Sequence, residues 1–260
     1  MTTVRGAAAY FESRARVYRY TWRGSVISSF LNPIMFLAAM GLGLGSLVDS
    51  GQGSEILDGA TYVAFLAPGL MAATAMQSAA GDSSWPVMMG IKWLKTYDAA
   101  LATPVKVGGI VVGHVAFVTA RIAFVVVIYG LIAVAFGALS LGEALLASIP
   151  ASLTGMAFAA PVMAYTSWLE RDTGLVNLFR FGIVPMFLFS GTFFPITQLP
   201  GFIQPVAYLT PLWHGVELTR ALAIGVPTTL PAWVNVVFLG AIIWAGLVLA
   251  TRKLSERLVK

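Results

Sequence analysis

The sequence has no cysteine, which excludes disulfide bonds, thiolate nucleophiles and cysteine-ligated metals. It is also poor in charge: 10% of its 260 residues are Asp, Glu, Lys or Arg, where soluble domains carry about a quarter. The phosphate-binding pattern G-x-x-x-x-G-K-[ST] is missing, and "MGIKWL" (Met89–Leu94) fails it in spacing and context. The chain therefore does not hydrolyse ATP by a P-loop. No H-E-x-x-H occurs, and the two histidines, His114 and His214, stand in different regions. Neither Ser nor Thr has a partnered His and Asp at a suggestive spacing. These gaps leave no catalytic residue and no metal site to assign.

What remains is apolar. Hydrophobic residues make up 58% of the chain and the mean hydropathy is +0.84, the composition of an integral membrane protein. Six stretches reach the roughly 20 residues that a helix needs to cross the hydrocarbon core: Val26–Val48, Tyr62–Ala80, Val107–Phe136, Ala144–Trp168, Leu178–Ile196 and Trp233–Thr251. The expected fold is all-α and integral to the membrane: one domain, 1–260, with six transmembrane helices and neither an internal repeat nor a low-complexity linker. The opening "MTTVRGAAAYFESRARVYRY" lacks the pattern of a signal peptide.

The basic residues give the orientation. With both termini cytoplasmic, that side holds Arg5, Arg14, Arg16, Arg19, Arg23, Lys92, Lys95, Lys106, Arg171, Arg180, Arg252, Lys253, Arg257 and Lys260. Only Arg121, inside the third span, and Arg220, outside, complete the 16. This is the positive-inside pattern of a multi-pass protein of the inner (cytoplasmic) membrane. The net charge of +5 belongs to the membrane and implies no nucleic-acid partner.

On a helical wheel, Tyr10, Phe11, Tyr18 and Trp22 gather with Ala7 and Ala15, opposite Glu12, Arg16, Arg19 and Arg23; Arg14 alone intrudes on the aromatic side. Residues 1–25 are expected to lie in the cytoplasmic interface. Arg16, Arg19, Trp22 and Arg23 would be the anchors, with membrane lipids as partners; a solvated amphipathic tail is the plainer alternative.

The cytoplasmic connection 81–106, "GDSSWPVMMGIKWLKTYDAALATPVK", offers Asp82, Ser83 and Ser84 as caps ahead of Pro86. Thr96 could cap a second short helix that Thr103–Pro104 would end. Its Trp85, Trp93 and Tyr97 suit either a protein contact or the membrane interface.

Residues 197–232 lie outside yet are too apolar for a free loop. "TPLWHGVELTRALAIG" reads as a helix with Thr210 as cap, Pro211 at its first position and Gly225 as C-cap, and with Glu217 paired to Arg220. "LPGFIQPVAYL" before it is too short to cross and has the composition of a re-entrant segment. Span five should break between Gly191 and Pro200 and turn within the outer leaflet. A broken backbone at that depth must pack on protein or line a cavity, so Phe189, Gly191, Phe193, Phe194 and Pro195 are candidates for an extracellular gate.

Ion-coupled transport usually leaves carboxylates inside spans, and here they fall in connections or at edges. Arg121 could pair with a cytoplasmic-side carboxylate, with carbonyls, or with a lipid or substrate phosphate; a snorkelling arginine is the simpler reading. Gly41, Gly43, Gly45 and Gly69 would allow close helix approach and could serve a subunit interface.

"FLAPGLMAATAMQSA" (Phe65–Ala79), "KTYDAALATPV" (Lys95–Val105), "LFSGTFFPITQLP" (Leu188–Pro200) and "YLTPLWHGVELTRAL" (Tyr208–Leu222) occur in that order. Together they resemble the ABC-2 type permeases, in the branch of the nodulation lipo-oligosaccharide and daunorubicin permeases, across essentially the whole chain. The resemblance implies a permease subunit of an ATP-driven exporter that moves an amphipathic, lipid-linked or drug-like substrate outward. It implies a separate ATPase chain carrying ATP and Mg, and a second permease, identical or similar. Trp93, Tyr97, Asp98, Thr103 and Pro104 would face that ATPase. The segment after span five would form paired extracellular re-entrant helices. A stand-alone secondary transporter or channel is the alternative, and an intramembrane lipid enzyme finds no acid–base pair or metal set here.

Overall fold

The computed structural model describes residues 2–44 and 61–259, and for 23–30, 32, 33, 41, 42 and 44 the backbone alone. The side chains of Arg23 and Asn32, Gly45 and the end of the first expected span thus lie outside the described residues.

The described chain is helical throughout. Helix α1 (Thr3–Phe36) continues through a π-helical stretch, Leu37–Leu44. Then come α2 (Tyr62–Ser83), the short α3 (Trp85–Lys92) and α4 (Thr96–Leu101), α5 (Val107–Ala135) and α6 (Leu141–Trp168). An apolar helix, α7, spans Thr173–Phe189. After a 3-10 turn, Ile196–Gln198, come α8 (Gln204–Tyr208), α9 (Pro211–Ile224) and α10 (Ala232–Leu258). Among the described residues, four helical segments are long and apolar enough to cross a membrane: Tyr62–Lys92, Val107–Ala135, Leu141–Trp168 and Ala232–Leu258.

Local signals set several boundaries. Helix α6 starts with a capping box, in which the Ser140 hydroxyl accepts from the Glu143 N–H and the Glu143 carboxylate accepts from the Ser140 N–H. Helix α9 begins and ends as its sequence indicates: Thr210 Oγ1 accepts from the Trp213 N–H, Pro211 occupies the first turn and Gly225 closes the helix at φ 70°. Ser84 holds the cap position of α3 but donates back to the Gly81 carbonyl instead of capping. Thr96 is the first residue of α4 and not its cap; that position belongs to Lys95, in a left-handed turn at φ 52°.

The fifth expected span is displaced. It begins at Thr173 rather than Leu178 and ends at Phe189 rather than Ile196. Its middle holds a π-helical turn, Phe179–Ile183, just before Pro185, where a missing N–H favours a register change. Ser190 and the left-handed Gly191 (φ 79°) then end it.

Helix α6 is the hub, packing against α2, α5, α9 and α10. Two close approaches fix its neighbours. A Cβ added at Gly246 of α10 would lie 2.6 Å from Pro161 N, and one at Gly215 of α9 would collide with the Thr154 side chain. At the end of α6, Arg257 Nη1 donates to the Ser167 and Leu169 carbonyls at 2.9 and 2.8 Å, a cation at a helix C-terminus. The bundle has two distinct ends. The basic end gathers α3, α4, the start of α5 and the end of α10; the far end gathers Ser190–Leu230.

The N-terminal helix departs from expectation in two ways. Residues 1–25 do not form a separate element, since α1 runs without a break to Phe36. Part of its aromatic face packs on α5: Phe11 and Tyr18 both meet Phe117 edge-on at 5.9 Å. The reason is glycine. A Cβ at Gly113 would lie 2.6 Å from the Ala7 carbonyl, and one at Gly109 would lie 3.2 Å from Gly6, so these positions let the two backbones approach closely. Trp22, Arg16 and Arg19 remain exposed.

Candidate functional site

The connection 81–106 folds as a helical hairpin at the basic end. Tyr97, expected to face a partner, points inward: it is 2% exposed, stacks on Tyr10 of α1 at 6.1 Å and sits where Gly90 leaves room for its ring. A six-residue helix shows too little periodicity to fix its buried face from sequence, and Gly90 is the signal that would have done so. Burial raises the Tyr97 hydroxyl well above the usual tyrosine range, and neighbouring Tyr10 adds to the effect. Tyr97 is a clamp between the hairpin, α1 and α3.

The other four candidates stay at the surface. Trp93 is 60% exposed, and its neighbour Leu94 is 61% exposed; Asp98, Thr103 and Pro104 are exposed as well. Asp98 is 3.7 Å from Lys95 Nζ, and the Thr103 hydroxyl donates to the Ala100 carbonyl at 2.6 Å. Lys92 donates to the Glu170 carbonyl, tying the hairpin to the α6–α7 connection. The arrangement is a rigid shelf that presents an aromatic and an aliphatic side chain to solvent.

At the far end, the candidate gate residues divide. Phe193 packs edge-on against Phe187 at 5.0 Å, and Phe187 in turn meets Phe36 at 6.1 Å. The Tyr62 hydroxyl donates to the Phe193 carbonyl at 3.4 Å. Phe194 joins a separate small core of Ile196, Leu199, Ala207 and Trp213. Phe189 instead faces outward at 42% exposure, because α7 ends there and turns its last residue away from the bundle. Gly191 and Pro195 line a 340 Å³ cavity with Phe65, Tyr208, Trp213, Glu217 and Arg220.

Arg220 holds this region together, a role the sequence did not disclose. Its Nε donates to the Phe65 carbonyl at 3.2 Å and its Nη2 to the Thr192 carbonyl at 2.9 Å, with the guanidinium 3.6 Å from the Phe65 ring centroid. The expected pair with Glu217 does not form; the Glu217 carboxylate accepts the Thr229 N–H at 2.6 Å. Gly69 serves Arg220 too, since a Cβ there would lie 2.8 Å from both Arg220 Nη2 and Thr192 O. It therefore makes room inside the chain. Beside it, His214 Nδ1 and Asn235 Oδ1 are 2.6 Å apart, joining α9 to α10.

Arg121, between the two ends, pairs with the Asp82 carboxylate and lies 5.6 Å from the Tyr18 ring centroid. This is the carboxylate partner that its position in a span requires. No group of three or more His, Cys, Asp or Glu side chains is placed to hold a metal among the described residues.

Comparison with known proteins identifies the family. The family described as ABC-2 type transporter matches residues 10–224. Nodulation protein J of Rhizobium meliloti (strain 1021) is 30% identical over 203 residues, 78% of this chain and 75% of the relative. Nodulation protein J of Sinorhizobium fredii (strain NBRC 101917 / NGR234) is 31% identical over 203 residues, 76% and 75% of the two chains. The inner membrane transport permease YadH of Escherichia coli (strain K12) is 23% identical over 218 residues, 83% and 84%. A charge-poor helical bundle with a folded basic-end hairpin, matched over this length, belongs to the ABC-2 type transporter family, as a membrane permease.

Proposed function

We propose that the chain is the transmembrane subunit of an exporter driven by a separate ABC ATPase, in the inner membrane, with both termini cytoplasmic. Six spans would result from adding the Val26–Val48 segment and α7 to the four long apolar helices. A second permease, identical or similar, would complete the pathway, and the substrate would be amphipathic, lipid-linked or drug-like. That class is the one implied by the resemblance to the lipo-oligosaccharide and drug permeases.

The observation that carries this reading is the hairpin shelf. Tyr97 and Lys92 lock it to α1 and to the α6–α7 connection, while Trp93, Leu94, Asp98, Thr103 and Pro104 face outward. A body so fixed transmits a push from a docked partner to several helices together. At the far end, the Phe187–Phe193 contact and the Arg220 bonds close the bundle against water and ions, with Gly191 and Pro195 forming the turn. Residues 197–232 would dip back from outside as re-entrant helices. Helix α9 has 14 residues, about 21 Å, too short to cross.

Co-expression with a candidate ABC ATPase tests the reading. The ATPase should be retained through detergent purification, and the double variant Trp93→Arg, Pro104→Arg should lose it while keeping its melting temperature. Equal retention by both would remove the docking assignment. Transport in vesicles driven by an ion gradient without nucleotide would instead favour a stand-alone secondary transporter.

A further inference from the structure

Where α1, α2 and α5 meet beneath the start of α3, a 170 Å³ cavity is lined by residues that include Arg14, Tyr18, Thr21, Asp82, Phe117 and Arg121. Three of these carry charge: two guanidinium groups and one carboxylate. Arg121 and Asp82 neutralise each other. Arg14 has no hydrogen-bond or ion-pair partner among the described residues, and its guanidinium carbon lies 5.9 Å from the centroid of the Phe117 ring. Arg14 Nε, Arg121 Nε and Asp82 Oδ2 are all buried without a hydrogen-bond partner among the described residues.

Arg14 is half-buried, and with its Nε out of water beside Phe117, Val118 and Pro86 its guanidinium gains from an anion that joins it. The excess is a single positive charge, and both unpartnered arginine nitrogens are donors. The cavity accommodates a group the size of a phosphate, and arginine recognises phosphate oxygens with paired donors in a plane. Tyr18 and Thr21 complete the lining, and the neighbouring Val17 is 58% accessible, apolar surface suited to the glycerol backbone and first methylenes of a lipid.

We propose that this cavity is a phosphate site, occupied by the singly charged headgroup phosphate of an anionic membrane lipid or by free phosphate. Arg14 is the principal contact, Arg121 the second, and Asp82 sets the selectivity for a ligand with one net negative charge. Occupancy would join α1 to the point where α2 passes into the hairpin. The site is independent of the transport reading and stands whether or not an ATPase partner is found.

The test titrates the purified full-length chain in detergent with phosphatidylglycerol, and counts bound lipid by native mass spectrometry. One phosphatidylglycerol per chain should be retained, while phosphatidylcholine, whose headgroup has no net charge, should bind more weakly. Arg14→Gln, which leaves the Arg121–Asp82 pair intact, should weaken binding about tenfold, the loss of charge-assisted hydrogen bonding. Asp82→Asn should tighten it. Inorganic phosphate that displaces the lipid at comparable concentration, and binds alone with the same dependence on Arg14, identifies free phosphate as the occupant. Phosphate that fails to compete, while lipid binding still depends on Arg14, identifies the lipid headgroup. Phosphatidylglycerol binding unchanged in both Arg14→Gln and Asp82→Asn, with phosphate binding nowhere, overturns the proposal.

Discussion

Arg121 and Arg220 are both drawn into the bundle, one towards each end, and they are accommodated differently. Arg121 meets a carboxylate, Asp82, on the neighbouring helix. Arg220 pairs with no acid among the described residues; it takes two main-chain carbonyls and the face of Phe65. A pair of opposite charges can be removed together, because each member exists to neutralise the other. A guanidinium bound to carbonyls has no such partner to delete, since the acceptors belong to the backbone. The two arginines are thus held by different kinds of partner, a side-chain charge for Arg121 and main-chain carbonyls for Arg220.

The largest expected effect is at the far end. Arg220→Met leaves the Thr192 carbonyl without its donor and removes the contact with Phe65, and it should cost about 3 kcal/mol. Thermal unfolding in detergent reads the loss, and Arg220→Lys should recover only part, since one ammonium cannot reproduce the fork. Arg121→Met should cost about 2 kcal/mol by leaving Asp82 unpaired, and the double change Arg121→Met, Asp82→Leu should return most of it. A double variant as unstable as the single one would erase the contrast between the two arginines.

Gly191→Leu probes the main-chain side alone. A left-handed residue with a branched side chain costs about 1–2 kcal/mol, and the added atoms would press on Ile196 at 3.3 Å. The Thr192 carbonyl would move away from Arg220, so transport should fall while assembly persists; unchanged export would detach Gly191 from any closing function. The smallest effect concerns Tyr97→Phe, about 0.5–1 kcal/mol at neutral pH. Its value lies in the alkaline range. Folding holds the Tyr97 hydroxyl neutral beyond the ordinary tyrosine value of 10.0, so its contribution is complete below pH about 10 and is lost as pH rises from there through the folded value. Wild-type protein should therefore lose more stability above that pH than Tyr97→Phe does.

The sequence disclosed those features that one segment determines by itself. The second, third and fourth spans appear within a few residues of their observed helix limits because apolar length is a local property, and Thr210, Pro211 and Gly225 bound α9 because capping is too. The aromatic stripe of Tyr10, Phe11 and Tyr18 was likewise legible, but its partner was not. Gly109 and Gly113, about a hundred residues away, are what let α5 approach it. Tyr97 was assigned to the wrong side for a similar reason, its pocket being created by Gly90. The acceptors of Arg220 carry no side-chain signature at all, and one of them lies 155 residues away in the chain. Long-range main-chain contacts therefore account for most of the candidate site that sequence reasoning missed.

The contact of Gly246 with Pro161 has a mechanical consequence. Neither helix can slide along or roll over the other without driving a Cα into a proline ring, and Arg257 bolts the same two helices at their basic end. Helices α6 and α10 therefore act as a keel.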